Sequence, residues 1–169
     1  LSSASHIVAL EPIADMHATI QDVAKEAGIC IEKNLEILDC DIEEYMEKHP
    51  KEVGSFDWVI LGNVLCEVDC QSSTLRKVDQ ILKVGGRVYF SEHVAYPAGT
   101  NMRLFQDWVA PWWRTVMGGC NCNRDTMMQI EKMTNWKIIH WTYDTAPSPP
   151  TIGPFEIGVA LKEKEASGN

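Results

Sequence analysis

Acids and amides stand at the ends of several β-prone runs in this chain. Glu11 follows Ile7-Val8-Ala9-Leu10, and Asp41 follows "LEILDC" at 35 to 40. Gly62 and Asn63 fall late in "FDWVILGNVL" (56 to 65), and Glu92 and His93 close "RVYFSEHV" (87 to 94). In an open α/β sheet the ligand lies outside the carboxyl ends of the parallel strands, so these are the side chains able to meet it. An ionised carboxylate at Glu11 can accept from both hydroxyls of a ribose diol. Asp41 can accept from an adenine amino group while the Ile42 N–H meets a ring nitrogen. Each residue also has a plain structural reading. Glu11 precedes a helix begun by Pro12 and favours its dipole, Asp41 caps the short helix after it, and Glu92 with His93 forms a satisfied polar pair at a strand end. The succession of two strand-end acids, then an Asn, then a further acid is more informative than any one member.

Other chemistry is less well represented. A dinucleotide site sets a glycine-rich turn about 20 residues before its ribose acid, and the ten residues before Glu11 contain none. Cys66 and Cys70 are spaced C-x3-C, and Cys120 and Cys122 C-x-C. Neither is a zinc-knuckle spacing, so no metal is expected and these are read as ordinary buried or loop thiols. With Cys30 and Cys40 they make six cysteines lacking the pattern of a secreted disulfide framework, which points to a reducing, intracellular setting.

The elements that must position these groups are legible from periodicity. After Pro12, Ile13, Met16, Ile20, Val23, Ala24 and Ala27 keep helical spacing up to a Gly28 stop. "DIEEYMEKHP" predicts a short acidic helix, and the unbroken apolar run at 56 to 65 a strand buried on both faces of a parallel sheet. Residues 71 to 86 put Leu75, Val78 and Leu82 on one helical face, between a Ser72 or Ser73 cap and a Gly-Gly stop. Leu104, Phe105, Trp108, Val109, Trp112, Trp113, Val116 and Met117 predict a heavily buried helix that Pro111 kinks or breaks near Ala110. "GGCNCN" (118 to 123) reads as a loop and "RDTMMQIEKMTN" as a helix capped by Asn123 or Asp125. Two closing β-prone runs, 136 to 144 and 155 to 162, flank the proline-rich "TAPSPPTIGP" and predict an antiparallel pair. The alternation of β and α upstream predicts a parallel α/β sheet.

The totals fit that architecture. The 169 residues, 45% hydrophobic and 23% charged, suffice for one core. A single domain over residues 1 to 162 is expected, with a polar tail over 163 to 169. A net charge of -9 opposes binding to nucleic acid, whose affinity for proteins comes largely from Lys and Arg. The longest apolar run is far short of the roughly 18 residues of a membrane span, so no transmembrane segment is expected.

The order "ALEP", "DCDI", "FDWVILGNVL", "ILKVGGRVYFSEHV" and the closing pair resembles a class I S-adenosylmethionine-dependent methyltransferase. Within that superfamily, "GGRVYFSEHVA", the Trp-rich helix, "GGCNCNRDT" and "FEIGVALK" are similar to the methyltransferase-like thiol S-methyltransferases. The resemblance implies a Rossmann-like, mostly parallel sheet with a carboxyl-terminal antiparallel strand pair. It implies that Glu11 holds the cofactor ribose, Asp41 and Ile42 the adenine, and Gly62, Asn63 and Val64 the methionine moiety. Two departures stand out. Val84 replaces the proline of the usual "LKPGG" turn, and the first, central strand with its glycine-rich loop is lacking. The domain is therefore expected to be incomplete at its amino terminus and poorly stable alone, since unpaired buried backbone groups are costly.

By the same resemblance the acceptor is a small thiol, His93 is a base for its proton, and Trp108, Trp112, Trp113 and Met117 roof an apolar acceptor pocket. The family likeness also suggests the cytosolic face of internal membranes. Two rivals remain: a non-catalytic, truncated module that binds a protein partner, and a dinucleotide-binding oxidoreductase. The second acid at Asp41 and the closing antiparallel pair favour adenosylmethionine over a dinucleotide.

Overall fold

The computed structural model describes residues 4–145 and 153–164. Most of the proline-rich connection and the end of the polar tail lie outside the described residues. The chain divides into two compact units, Leu1–Lys51 and Glu52–Asn169.

In the first unit, β1 (Ile7–Leu10) pairs in parallel with β2 (Leu35–Leu38), Leu10 opposite Leu38. The Glu11 N–H donates to the Leu38 carbonyl at 3.0 Å and carries the pairing one residue further. Between the strands lie a 3-10 turn at Ala14–Met16, α1 (His17–Glu26) and the short α2 (Ile31–Asn34). Gly28, at φ +73°, takes the left-handed conformation that stops α1. The helix α3 (Ile42–Lys48) follows β2, and the unit buries Ala24, Cys40 and Tyr45.

The second unit is built on a four-stranded sheet formed by β3 (Phe56–Gly62), β4 (Leu82–His93), β5 (Trp136–Asp144) and β6 (Phe155–Lys162). Its order is β3-β4-β6-β5. β3 and β4 run parallel, and β6 lies antiparallel to both β4 and β5. The expected closing pair is thus present, with β6 inserted next to β4. At Gly158 in β6 a Cβ would meet the Phe90 ring at 2.4 Å, so only glycine lets that ring lie across the sheet. Leu61, Val88, Phe90 and Ala160 are buried, together with Leu75, Val78 and Ile81 of α4 (Gln71–Ile81).

Three sequence expectations change here. α4 stops at Ile81 rather than running to the glycines, because Leu82 is already extended and the Lys83–Gly86 stretch belongs to β4. β3 is not buried on both faces: Trp58 and Ile60 are about half exposed, and β3 is the edge strand of its sheet. α5 (Asn101–Val116) passes through Pro111 without a break and buries little apolar surface. Its buried residues are Gln106 and Ala110, whereas Leu104, Phe105, Trp108, Trp112, Val116 and, just after it, Met117 are exposed. The helix docks through Gln106, whose Nε2 donates to the Val94 and Cys122 carbonyls at 3.0 and 2.8 Å and whose Oε1 accepts from Tyr96 N at 2.9 Å. No helix among the described residues is long and apolar enough to cross a membrane.

Candidate active site

The parallel register of β1 and β2 brings Glu11 and Asp41 to the carboxyl end of the same strand pair. Both also perform their structural tasks. Glu11 Oε1 accepts from the Ile13 N–H at 2.9 Å, and its carbonyl oxygen meets His17 Nε2 at 2.8 Å. Asp41 Oδ1 accepts from the Glu44 N–H at 2.9 Å, capping α3. One oxygen of each carboxylate is engaged this way. The other makes no hydrogen bond among the described residues, and a diol or an amino group needs no more than that.

In the second unit, Gly62, Asn63, Val64, Glu92 and His93 collect at the carboxyl ends of β3 and β4. The chain turns sharply at Asn63, which sits at φ +56°, the one non-glycine residue with positive φ among the described residues. Glu92 holds the turn. It is fully buried, and its Oε1 and Oε2 accept from Val64 N at 3.0 Å and Cys66 N at 3.1 Å. Burial pushes its carboxyl up from the ordinary range, while the N–H groups of Leu65, Cys66 and Val64 pull it back. With Val64 N bonded to Glu92 and Asn63 N to the Ser91 carbonyl, the side-chain amide of Asn63 is the polar group this turn still offers.

Glu92 and His93 do not form a polar pair. Successive strand residues point to opposite faces, and His93 turns toward Phe155, with ring centroids 4.1 Å apart, and toward Trp113 at 6.3 Å. Its Nδ1 lies 3.7 Å from Cys120 Sγ. Cys66 and Cys120 are both buried, with their sulfurs within 4.8 Å of each other, and Cys66 Sγ donates to the Asn63 carbonyl at 3.3 Å. The neighbouring thiol raises the proton affinity of Cys66 and lowers that of Cys120. Burial adds to the rise at Cys66, and the His93 ring adds to the fall at Cys120. Burial also holds the Cys122 thiol up, at about 11.

Of the four side chains expected to roof an acceptor pocket, only Trp113 turns inward against His93. Trp108 and Trp112 are 79% and 63% exposed, and Met117 is exposed as well. Sequence reading missed the holding role of Glu92, the docking role of Gln106 and the Cys66–Cys120 contact. Buried polar residues flanked by apolar ones were the available signal for the first two.

Comparison with known proteins bears on the same elements. The family described as "Methyltransferase domain" matches residues 1–90, which include β1, β2, β3 and the turn after it. The chain is 34% identical over 110 residues to Thiol S-methyltransferase TMT1B of Rattus norvegicus, and 33% identical over 109 residues to Thiol S-methyltransferase TMT1A of Homo sapiens. Each alignment covers 64% of this chain and 45% of the relative, so the chain spans less than half the length of these proteins. A geranyl diphosphate methyltransferase solved in complex with S-adenosylmethionine superposes with a TM-score of 0.61 at 12% identity, covering 93% of this chain and 68% of the other. At that identity the superposition speaks for the fold, which is the Rossmann-like α/β class with an antiparallel closing pair. With more than half of its residues matched by the family, and with this strand order and these strand-end acids, the chain belongs to the methyltransferase domain family.

Proposed function

We propose that this chain carries the S-adenosylmethionine site of a methyltransferase whose acceptor is a small thiol. The observation that carries the reading is the common rim of β1 and β2, where Glu11 and Asp41 each keep one carboxylate oxygen for a ligand. Glu11 takes the ribose diol, and Asp41 with the Ile42 N–H takes the adenine. Gly62, Asn63 and Val64 attend the methionine moiety, Asn63 through its amide. The bound cofactor supplies a methyl group on a positively charged sulfur. Transfer is a direct displacement, so the protein's contribution is mainly alignment in a dry site.

A thiol acceptor is mostly protonated at neutral pH, and His93, through Nε2, is the side chain at the end of β4 suited to take its proton. Trp113 and the exposed Trp108, Trp112 and Met117 supply the apolar surface for the acceptor. Thiol selectivity is drawn from the thiol S-methyltransferases that align with the chain, those of rat and human among them.

Calorimetry with S-adenosylmethionine and its demethylated product tests the cofactor assignment. E11A should weaken binding by about tenfold or more, the worth of one hydrogen bond to a charged group. D41N, which keeps an oxygen for the Glu44 N–H, should weaken it without loosening α3. Equal affinities in wild type, E11A and D41N would reject the site. Methyl transfer to an aliphatic alcohol in preference to the corresponding thiol would reject the acceptor.

A further inference from the structure

Cys66, His93 and Cys120 come from three separate segments, the turn after β3, the end of β4 and the loop after α5, and their ligand atoms all lie within 4.8 Å of one another. We propose that these three side chains form a binding site for one zinc ion, in a Cys2His arrangement with the fourth tetrahedral position open.

Four observations support it. Zinc–sulfur bonds of about 2.3 Å and zinc–nitrogen bonds of about 2.0 Å at tetrahedral angles put sulfur and nitrogen ligands about 3.5 Å apart. The 3.7 Å between Cys120 Sγ and His93 Nδ1 is within a small adjustment of that. Two thiolates cancel the ion's charge, so the loaded centre is electrically neutral where Cys66 and Cys120 are buried.

The frame around the three is already fixed. Glu92 holds Cys66 N, while the Cys66 carbonyl accepts from both Asn121 N at 2.8 Å and Asn121 Nδ2 at 3.0 Å, which ties the Cys66 turn to the loop bearing Cys120. Gly118 and Gly119, at φ +63° and +110°, give that loop its turn. The fourth observation is an orphan. Trp113 Nε1 is buried with no hydrogen-bond partner, and its ring meets the His93 ring edge-on with centroids 6.3 Å apart. A donor beside the metal ligands is the kind of outer support such sites use.

Ligation through Nδ1 fixes the remaining ring proton on Nε2, so a loaded chain has no base at His93. A thiol entering the open position would instead lose its proton to water and be held as a thiolate on zinc. That last step rests on the thiol reading above; the metal site does not.

The test uses the full chain with the exposed Cys30 and Cys70 changed to serine, reduced, stripped with a chelator and titrated with Co2+. One equivalent should give the intense visible bands and sulfur-to-cobalt charge transfer of a tetrahedral thiolate site, and Zn2+ should displace it. C120S and H93A should each weaken binding by about tenfold or more and lose or shift those bands. C122S, two residues along the same loop, should retain them, and circular dichroism checks that each variant is folded. W113F should weaken binding while leaving the band pattern tetrahedral. A six-coordinate, thiolate-free spectrum, or a spectrum and affinity left unchanged in C120S, overturns the site. S-adenosylmethionine calorimetry on the same samples reports on the cofactor site separately, so either assignment can fail alone.

Discussion

Glu92 has no exposed surface, and its carboxylate oxygens are taken by the N–H groups of the turn after β3. E92A would leave Val64 and Cys66 donors buried without acceptors, at about 1–3 kcal/mol each. Its urea midpoint should fall accordingly. Glu156 makes a pH prediction. It is 8% exposed, accepts from Met127 N at 3.1 Å, and is raised by burial from 4.5 to about 7. Between those values the folded chain holds a proton that the unfolded chain has released, so this group's contribution to stability is greatest below pH 4.5 and declines as pH rises to 7. The full decline is on the order of 3 kcal/mol, and E156Q should flatten it in thermal melts across that range. Glu11 and Asp41 were legible in sequence because strand-end acids have few positions to occupy, and the plain capping reading of Asp41 holds beside the ligand reading. The Cys66–Cys120 contact was not legible. Spacing pairs Cys66 with Cys70 and Cys120 with Cys122, whereas the fold selects one cysteine from each pair and adds a histidine from a third segment.

At the scale of elements, α5 reverses the usual inference from an apolar stripe. Its docked face runs through Arg103, Gln106, Ala110 and Trp113, and its aromatic stripe faces outward. Hydrophobic spacing could find the helix and not its orientation, because a glutamine satisfied by three backbone groups outweighs several leucine-like contacts in fixing which side turns inward. Q106A should therefore cost about 2–4 kcal/mol in denaturant unfolding, whereas W108Q and W112Q should each change stability by less than about 0.5 kcal/mol. Pro111 sits inside this helix on an exposed side, where it forfeits one backbone hydrogen bond. P111A should raise the thermal midpoint. The strand boundary at Leu82 was missed for a related reason: the helical period of 71 to 82 continues into residues whose glycines suit an irregular strand start as well as a helix stop.

For the whole molecule, the α/β class, the parallel pairings and the antiparallel close follow from strand-forming runs and the connections between them. The insertion of β6 between β4 and β5 does not, since it depends on contacts made only in the folded chain. The two units also differ in how their sheets are supported. β1 and β2 are four residues each in a two-stranded sheet, while β4 and β6 are interior strands of a four-stranded one. Two-stranded pairs are marginal, so amides of β1 and β2 should exchange with solvent deuterium well before those of β4 and β6. Saturating S-adenosylmethionine should slow exchange at the carboxyl ends of β1 and β2 first; uniform slowing would count against the Glu11 and Asp41 site. The outward stripe of α5 has a spectroscopic consequence. Trp108 and Trp112 are largely in water in the native chain, and Trp58 and Trp141 are about half exposed. Much of the indole emission is therefore already red-shifted and open to iodide quenching before any unfolding. Denaturation followed by fluorescence maximum would register a muted change, contributed mainly by Trp113 and Trp136 and less by Trp58 and Trp141.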